Sequence, residues 1–163
     1  MPPFLPPPNS GGTRAFTNTF YGIAGLYPSS WRMDGIDSVP NDGLVEVAHI
    51  YHSSGAQERV DVGIDDQGTF GLTLEGYLQS TIDSYRNSYG TINVLVSDSQ
   101  SNVAGRPAYR LVFTSGDGTD KVMETGFIVG DKVLYVAYTA RPSNFFTYLE
   151  DAMYIANSIR MTR

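Results

Sequence analysis

The chain has 163 residues, the length of one ordinary domain, and 41% hydrophobic with 12% aromatic residues supply a sizeable core. That composition excludes a wholly disordered protein, because such chains lack the apolar surface that offsets ordering entropy. A net charge of -6 repels a phosphate backbone and excludes nucleic-acid binding by bulk charge, and the absence of Cys excludes disulfides, thiolate catalysis and Cys-ligated metals.

Residues 1–12 (MPPFLPPPNSGG) hold five of the nine prolines and read as an extended tail or linker. The single folded domain is then expected over 13–163. Pro3 to Pro6 forms a P-x-x-P spacing, a weak hint of SH3-type recognition beside the commoner linker role. The sequence has neither a membrane-spanning apolar run nor an intact secretory signal. Met1 before a Pro-rich spacer is what a chain would show if a signal or anchor had been cut away.

From Thr13 the text is extended, with Phe16 and Phe20 spaced as on a strand, followed by a turn at Pro28-Ser29-Ser30. Leu44–His52 is a long β-branched run. Strict alternation puts Val45, Val47, His49 and Tyr51 on one face and Glu46, Ala48, Ile50 and His52 on the other. A short strand at Val60–Ile64 follows. Over 72–89 the period becomes helical, with Leu74, Leu78, Ile82, Tyr85 and Tyr89 in one stripe, Thr73 as N-cap and Gly90 as terminator. Four strands come next, at Ile92–Asp98, Ala108–Thr114, Val122–Val129 and Val133–Tyr138. Their Gly/Asp connections make the last three antiparallel neighbours. Pro142-Ser143 opens a second helix with Phe145, Leu149, Ala152, Ala156 and Ile159 on its apolar face. The order predicts an α+β fold, with a central antiparallel sheet of about six strands and two flanking helices.

Charge is concentrated. Between Asp34 and Asp66 lie eight acids and one base, Arg59, whereas the rest of the chain is close to neutral. Asp34, Asp37, Asp42, Glu46 and Glu58 in this window are candidates for meeting a basic partner or a cation. His49, His52, Asp61, Asp65 and Asp66 are the candidate metal ligands, with donors that suit zinc, manganese or calcium. Residues three apart on a strand face opposite ways, so His49 and His52 cannot share one ion without a bulge. Neither a phosphate loop, a dinucleotide turn, a zincin helix nor a nucleophile elbow is present. A hydrolase would need His49 or His52 as its base, and nothing marks a nucleophile. Trp31, the only tryptophan, reads as a core anchor.

Five phrases in order carry a resemblance: LYPSSWR, LTLEGYLQSTIDSY, VAGRPAYRLVFTS, DKVLYVAYTARPSNFFTYL and IANSI. Together they span about Thr19 to Met161 and are similar to the signatures of the PsbP-like family. The resemblance implies an α/β/α sandwich, with Tyr27, Pro28, Trp31, Gly105, Pro107, Ala108 and Tyr109 as fold determinants. It also implies a non-enzymatic accessory or binding domain. The family's namesake is a lumenal subunit that helps photosystem II retain calcium and chloride. This chain has only two Lys and lacks that subunit's basic docking surface. It is therefore expected to be a monomeric, exported relative from a non-photosynthetic microbe, whose partner is a protein or a divalent cation. The alternatives are a carrier holding a small apolar or aromatic ligand under Tyr77, Tyr85 and Tyr89, and a metal-dependent enzyme or hydrolase.

Overall fold

The computed structural model describes residues 11–34, 44–52, 57–66 and 73–162. Along these run β1 (Thr13–Asn18), β2 (Ile23–Pro28), β3 (Trp31–Asp34), β4 (Leu44–His52), β5 (Arg59–Asp65), α1 (Leu74–Tyr89), β6 (Ile92–Val103), β7 (Arg106–Ser115), β8 (Lys121–Val129), β9 (Lys132–Ala140), α2 (Phe145–Ser158) and β10 (Arg160–Met161). Most of the tail, residues 1–10, lies outside the described residues, as do Asp37 and Asp42. Gly11 and Gly12, counted with the tail, are tied to the fold: Ser29 donates to the Gly11 carbonyl from Oγ and to the Gly12 carbonyl from its backbone N–H.

A seven-stranded antiparallel sheet in the order β3-β4-β5-β9-β8-β7-β6 forms the centre. Sequence reasoning expected about six strands there and missed a second sheet of three, β1-β2-β10. Two-residue β10 is too short to leave a periodic signal, and β3 pairs only through its register with β4. The N-terminal stretch does not continue as one strand: Phe16 is buried on β1, while Phe20 lies in the following turn and is largely exposed. The gap between the strands expected at Ile92–Asp98 and Ala108–Thr114 is also too long, since the two run on to Val103 and start from Arg106. Ala104 and Gly105 both take positive φ and close β6 to β7 in a two-residue turn. Gly105 needs that freedom, and its N–H is held by the Asn102 side chain.

Both helices form where the apolar periods put them. Thr73 caps α1 through Oγ1, which accepts from the Gly76 N–H at 3.0 Å, and the Gly90 N–H closes the other end on the Arg86 carbonyl. The helices lie against opposite faces of the sheet. Val60, Val62, Ile64, Leu134, Val136 and Tyr138 point to α2, together with Phe16 and Ile23 of the small sheet. Tyr109, Leu111, Phe113 and Val122 point the other way, to Tyr77, Leu78 and Ile82 of α1. The α2 side is sealed further by polar contacts. Trp31 donates its indole N–H to Asp151 at 2.9 Å, Tyr138 donates to the Phe145 carbonyl, and Ser158 Oγ accepts the Leu26 N–H. Trp31 is therefore a core anchor, 1% exposed.

Candidate functional site

On the α1 side the helix lies over β6 and β7 and packs on Val122 of β8 and Val133 at the start of β9, and among the described residues no helix covers β5, β4 and β3. Paired residues of neighbouring strands share a face, so the registers draw this surface directly. One row reads Asp34, His49, Asp61, Ala137, Glu124, Leu111. A second reads Arg32, Tyr51, Arg59, Thr139, and a third Glu46, Gly63, Tyr135, Gly126, Tyr109. Two glycines shape the third row. A Cβ at Gly63 would run into the Tyr135 ring and one at Gly126 into the Tyr109 ring, so each tyrosine lies across its neighbouring strand.

A β-bulge decides who faces whom on β4. The ladder to β5 shifts between Glu46 and Ala48, leaving Val47 unpaired and fully buried. Strict alternation had set Glu46 opposite His49; the extra residue turns Glu46 onto the face of His49 and sends Val47 into the α2-side core. His49 is thereby clamped. Its Nδ1 meets Asp61 at 2.8 Å and its Nε2 meets Glu46, while Arg59 donates to the other Asp61 oxygen at 3.0 Å. Burial pushes the imidazole pKa down, but the Asp61 hydrogen bond and the charges of Glu46 and Asp61 outweigh it, holding the group above the ordinary histidine value. With both ring nitrogens on carboxylates, His49 has no lone pair to offer a metal or a substrate proton.

The remaining candidates are dispersed. His52 sits on the opposite face, against Trp31 and Tyr148 with ring centroids 5.3 and 4.1 Å away. Asp65 accepts from the Tyr77 hydroxyl at 2.8 Å, and Asp66 pairs with Lys132 at 3.1 Å. Of the five proposed ligands, His49 and Asp61 meet, and His52, Asp65 and Asp66 do not join them. Among the described residues no group of three or more His, Asp or Glu side chains is arranged to hold a metal ion. Glu58 also corrects the sequence reading, which put it on an acidic surface. It is 1% exposed, on the α2 side, with Oε1 accepting from Arg141 and Asn144 at 3.1 and 2.8 Å. Burial works against its charge, yet these two donors hold its pKa below the ordinary value. Asp34 and Glu46 remain on the open face, exposed and partly exposed.

Where α1 meets the open half lies a cleft of about 260 Å³. Tyr77, Ser80, Ser84 and Tyr85 line it from the helix, and Asp65, Glu124 and Tyr135 from the sheet. Glu124 is 6% exposed. The Tyr85 hydroxyl donates to its Oε1 at 2.7 Å and the Tyr109 hydroxyl to its Oε2 at 2.5 Å. Burial raises the carboxyl pKa and the two phenols lower it, burial winning; the same burial and the neighbouring Glu124 push both phenols well above the tyrosine norm. Tyr89 does not join the cleft but donates to Asp120 at 2.9 Å, and burial with that bond lifts it to about 12. The Glu124–Tyr85–Tyr109 group escaped sequence reasoning. Its one trace was an acid inside β8, a mostly apolar strand.

No family model matches the chain, and no curated protein does. Among solved structures it is similar to cyanobacterial PsbP (CyanoP) from Synechocystis sp. PCC 6803, at 12% identity and a TM-score of 0.69 over 96% of each chain. It is also similar to LpqN of Mycobacterium tuberculosis, described as involved in cell envelope biogenesis, at 14% identity and a TM-score of 0.63 over 93% of this chain and 91% of that one. A third is the Saccharomyces cerevisiae Ran-binding protein Mog1p, at 9% identity and a TM-score of 0.62 over 94% of this chain and 97% of that one. The chain has the fold of these PsbP and Mog1p structures, as the sequence resemblance implied.

Proposed function

We propose that this protein is a non-enzymatic accessory domain, acting outside the cytoplasm, that binds a partner protein through the open half of its sheet. The observation that carries this is the uneven cover of the sheet: on the α1 side three strands, β3, β4 and β5, present Arg32, Asp34, Glu46, Tyr51 and Arg59 rather than apolar residues under a helix. Mixed aromatic and charged surfaces on a rigid sheet suit protein contact. The acidic window, with Asp37 and Asp42 outside the described residues, favours a partner with a basic surface. Mog1p, a Ran-binding protein of the same fold, supports a protein partner, and LpqN, involved in cell envelope biogenesis, supports the extracytoplasmic setting.

Two other readings fare worse. A hydrolase needs a base with a free nitrogen, and both nitrogens of His49 are taken up by Asp61 and Glu46. An apolar carrier would have to cover Glu124 and Asp65 in the cleft without neutralising them, which is costly. The test is affinity capture from the native source on the immobilised domain and on an Asp34→Lys, Tyr51→Ala variant. A partner retained by the wild-type domain and lost by the variant is expected; equal retention sinks the proposed face. Titration with calcium, manganese or zinc serves as the second arm. A saturable rise in melting temperature would move the assignment from a protein to a cation.

A further inference from the structure

The cleft beside α1 has an electrostatic oddity. Glu124 is buried, yet its partners are two neutral phenols, and it meets no cation among the described residues. Buried carboxylates are ordinarily paired with a cation or given a full set of hydrogen bonds. Each oxygen of Glu124 accepts one bond here and has a second lone pair to offer. The rest of the lining deepens the asymmetry. Asp65 adds a second carboxylate, three tyrosines add aromatic lining, and among the described residues no Lys, Arg or His lines the space.

Shape narrows the class of ligand. About 260 Å³ falls just below the ~300 Å³ at which small-molecule pockets begin, so one long side chain suits it better than a whole drug-sized molecule. The cleft adjoins the proposed partner face, because Tyr135 in its lining follows Gly63 and Glu46 in the same row. Tyrosine rings beside a carboxylate favour a flat, delocalised cation over a compact ammonium. Along α1, Ser80, Ser84 and Ser88 place a hydroxyl on the rim at each turn, as further acceptors for a multi-donor group.

We propose that this cleft receives a guanidinium, borne on an arginine side chain of the partner, which lies over Tyr135 and bonds the outer lone pairs of Glu124. The inference rests on the reading of the open half-sheet as a partner-binding face, and it can fail separately from it. A free guanidine compound offers the same chemistry from another source.

The experiment is a titration of the full chain, followed by the ring resonances of Tyr77, Tyr85 and Tyr135. The probes are acetyl-arginine amide, agmatine, and acetyl-citrulline amide as the neutral isostere. Saturable shifts are expected with the arginine amide and at least about tenfold weaker binding of the citrulline compound. Ser84→Trp, a change on the exposed helix surface that fills the cleft without touching the core, should abolish the shifts. Glu124→Gln should weaken them about tenfold while keeping one phenol bond and reversing the other, the amide N–H then donating to that phenol oxygen. Equal shifts from citrulline, or full binding by Ser84→Trp, overturn the site. Shifts from agmatine alone overturn the assignment to a side chain in favour of a free guanidine compound. Partner capture that is indifferent to the open face, with arginine amide still bound, overturns the partner reading instead.

Discussion

The two faces of the central sheet are built on opposite terms. On the α2 side, α2 and the three-stranded sheet together close over the strands, and the one carboxylate there that is almost wholly buried, Glu58, is satisfied by Arg141 and Asn144. On the α1 side, among the described residues, a single helix packs on β6, β7, β8 and the start of β9, and the rest of the sheet carries charges, tyrosines and the edge of a cleft. The difference shows where stability and function part company in this fold. One face is spent on packing, and the other keeps groups whose hydrogen bonds and charges are available to a partner.

If that division is right, substitutions should separate by face. The largest loss is expected for Trp31→Ala, which empties a 1% exposed site and strips Asp151 of its donor; about 3–5 kcal/mol should disappear from the unfolding free energy in urea. Next comes a matched pair of glycines. Gly126→Ala drives a Cβ into Tyr109, fully buried under α1, and should cost about 1–3 kcal/mol. Gly63→Ala meets Tyr135, which is only half-buried and can swing toward solvent, and should cost about 1 kcal/mol or less. Equal losses would mean that the open half is as rigid as the covered half.

Two pH effects sharpen the contrast. Glu58 has a folded pKa below its ordinary 4.5, so its contribution is present above that value and is lost as pH falls through the lower, folded one. Glu58→Gln should remove that part of the acid dependence of the urea midpoint. His49 behaves in the opposite sense. Its folded pKa stands above the ordinary 6.5, so the clamp's contribution is complete below 6.5 and is lost as pH rises through the folded value. Partial exposure of Glu46 keeps this below about 1 kcal/mol, and His49→Gln should flatten the profile between neutral and alkaline pH. The smallest stability effect is expected for Tyr51→Ala, within about 0.5 kcal/mol by thermal melting, although the same change should reduce partner capture. A large drop in melting temperature would make Tyr51 a packing residue and remove it from the proposed face.

Much of the fold was legible because it rests on short-range patterns. The stripe from Leu74 to Tyr89, with Thr73 and Gly90 at its ends, needs only the helical period and its caps. The tight turn at Gly130-Asp131 forces β8 and β9 together, whatever else the chain does. The site was far less legible. His49, Asp61 and Glu46 were all singled out, but as ligands or surface acids, because a bulge at Val47 cannot be seen in an alternating run. Tyr135 and Glu124 passed unremarked, since a tyrosine or a lone acid in a strand has no local mark of what lies across the sheet.

The sequence by itself determined the period of each element, the antiparallel neighbours joined by tight turns, and a net charge of -6 whose acids crowd between residues 34 and 66, eight against one base. Only the tertiary structure decided how that charge is used. It buried Glu58 beneath α2, locked Glu46 and Asp61 onto His49, and left Glu124 facing two phenols in a cleft. The reason is physical: periodicity fixes which side of a strand a residue takes, but burial and pairing depend on residues brought across the sheet from far along the chain.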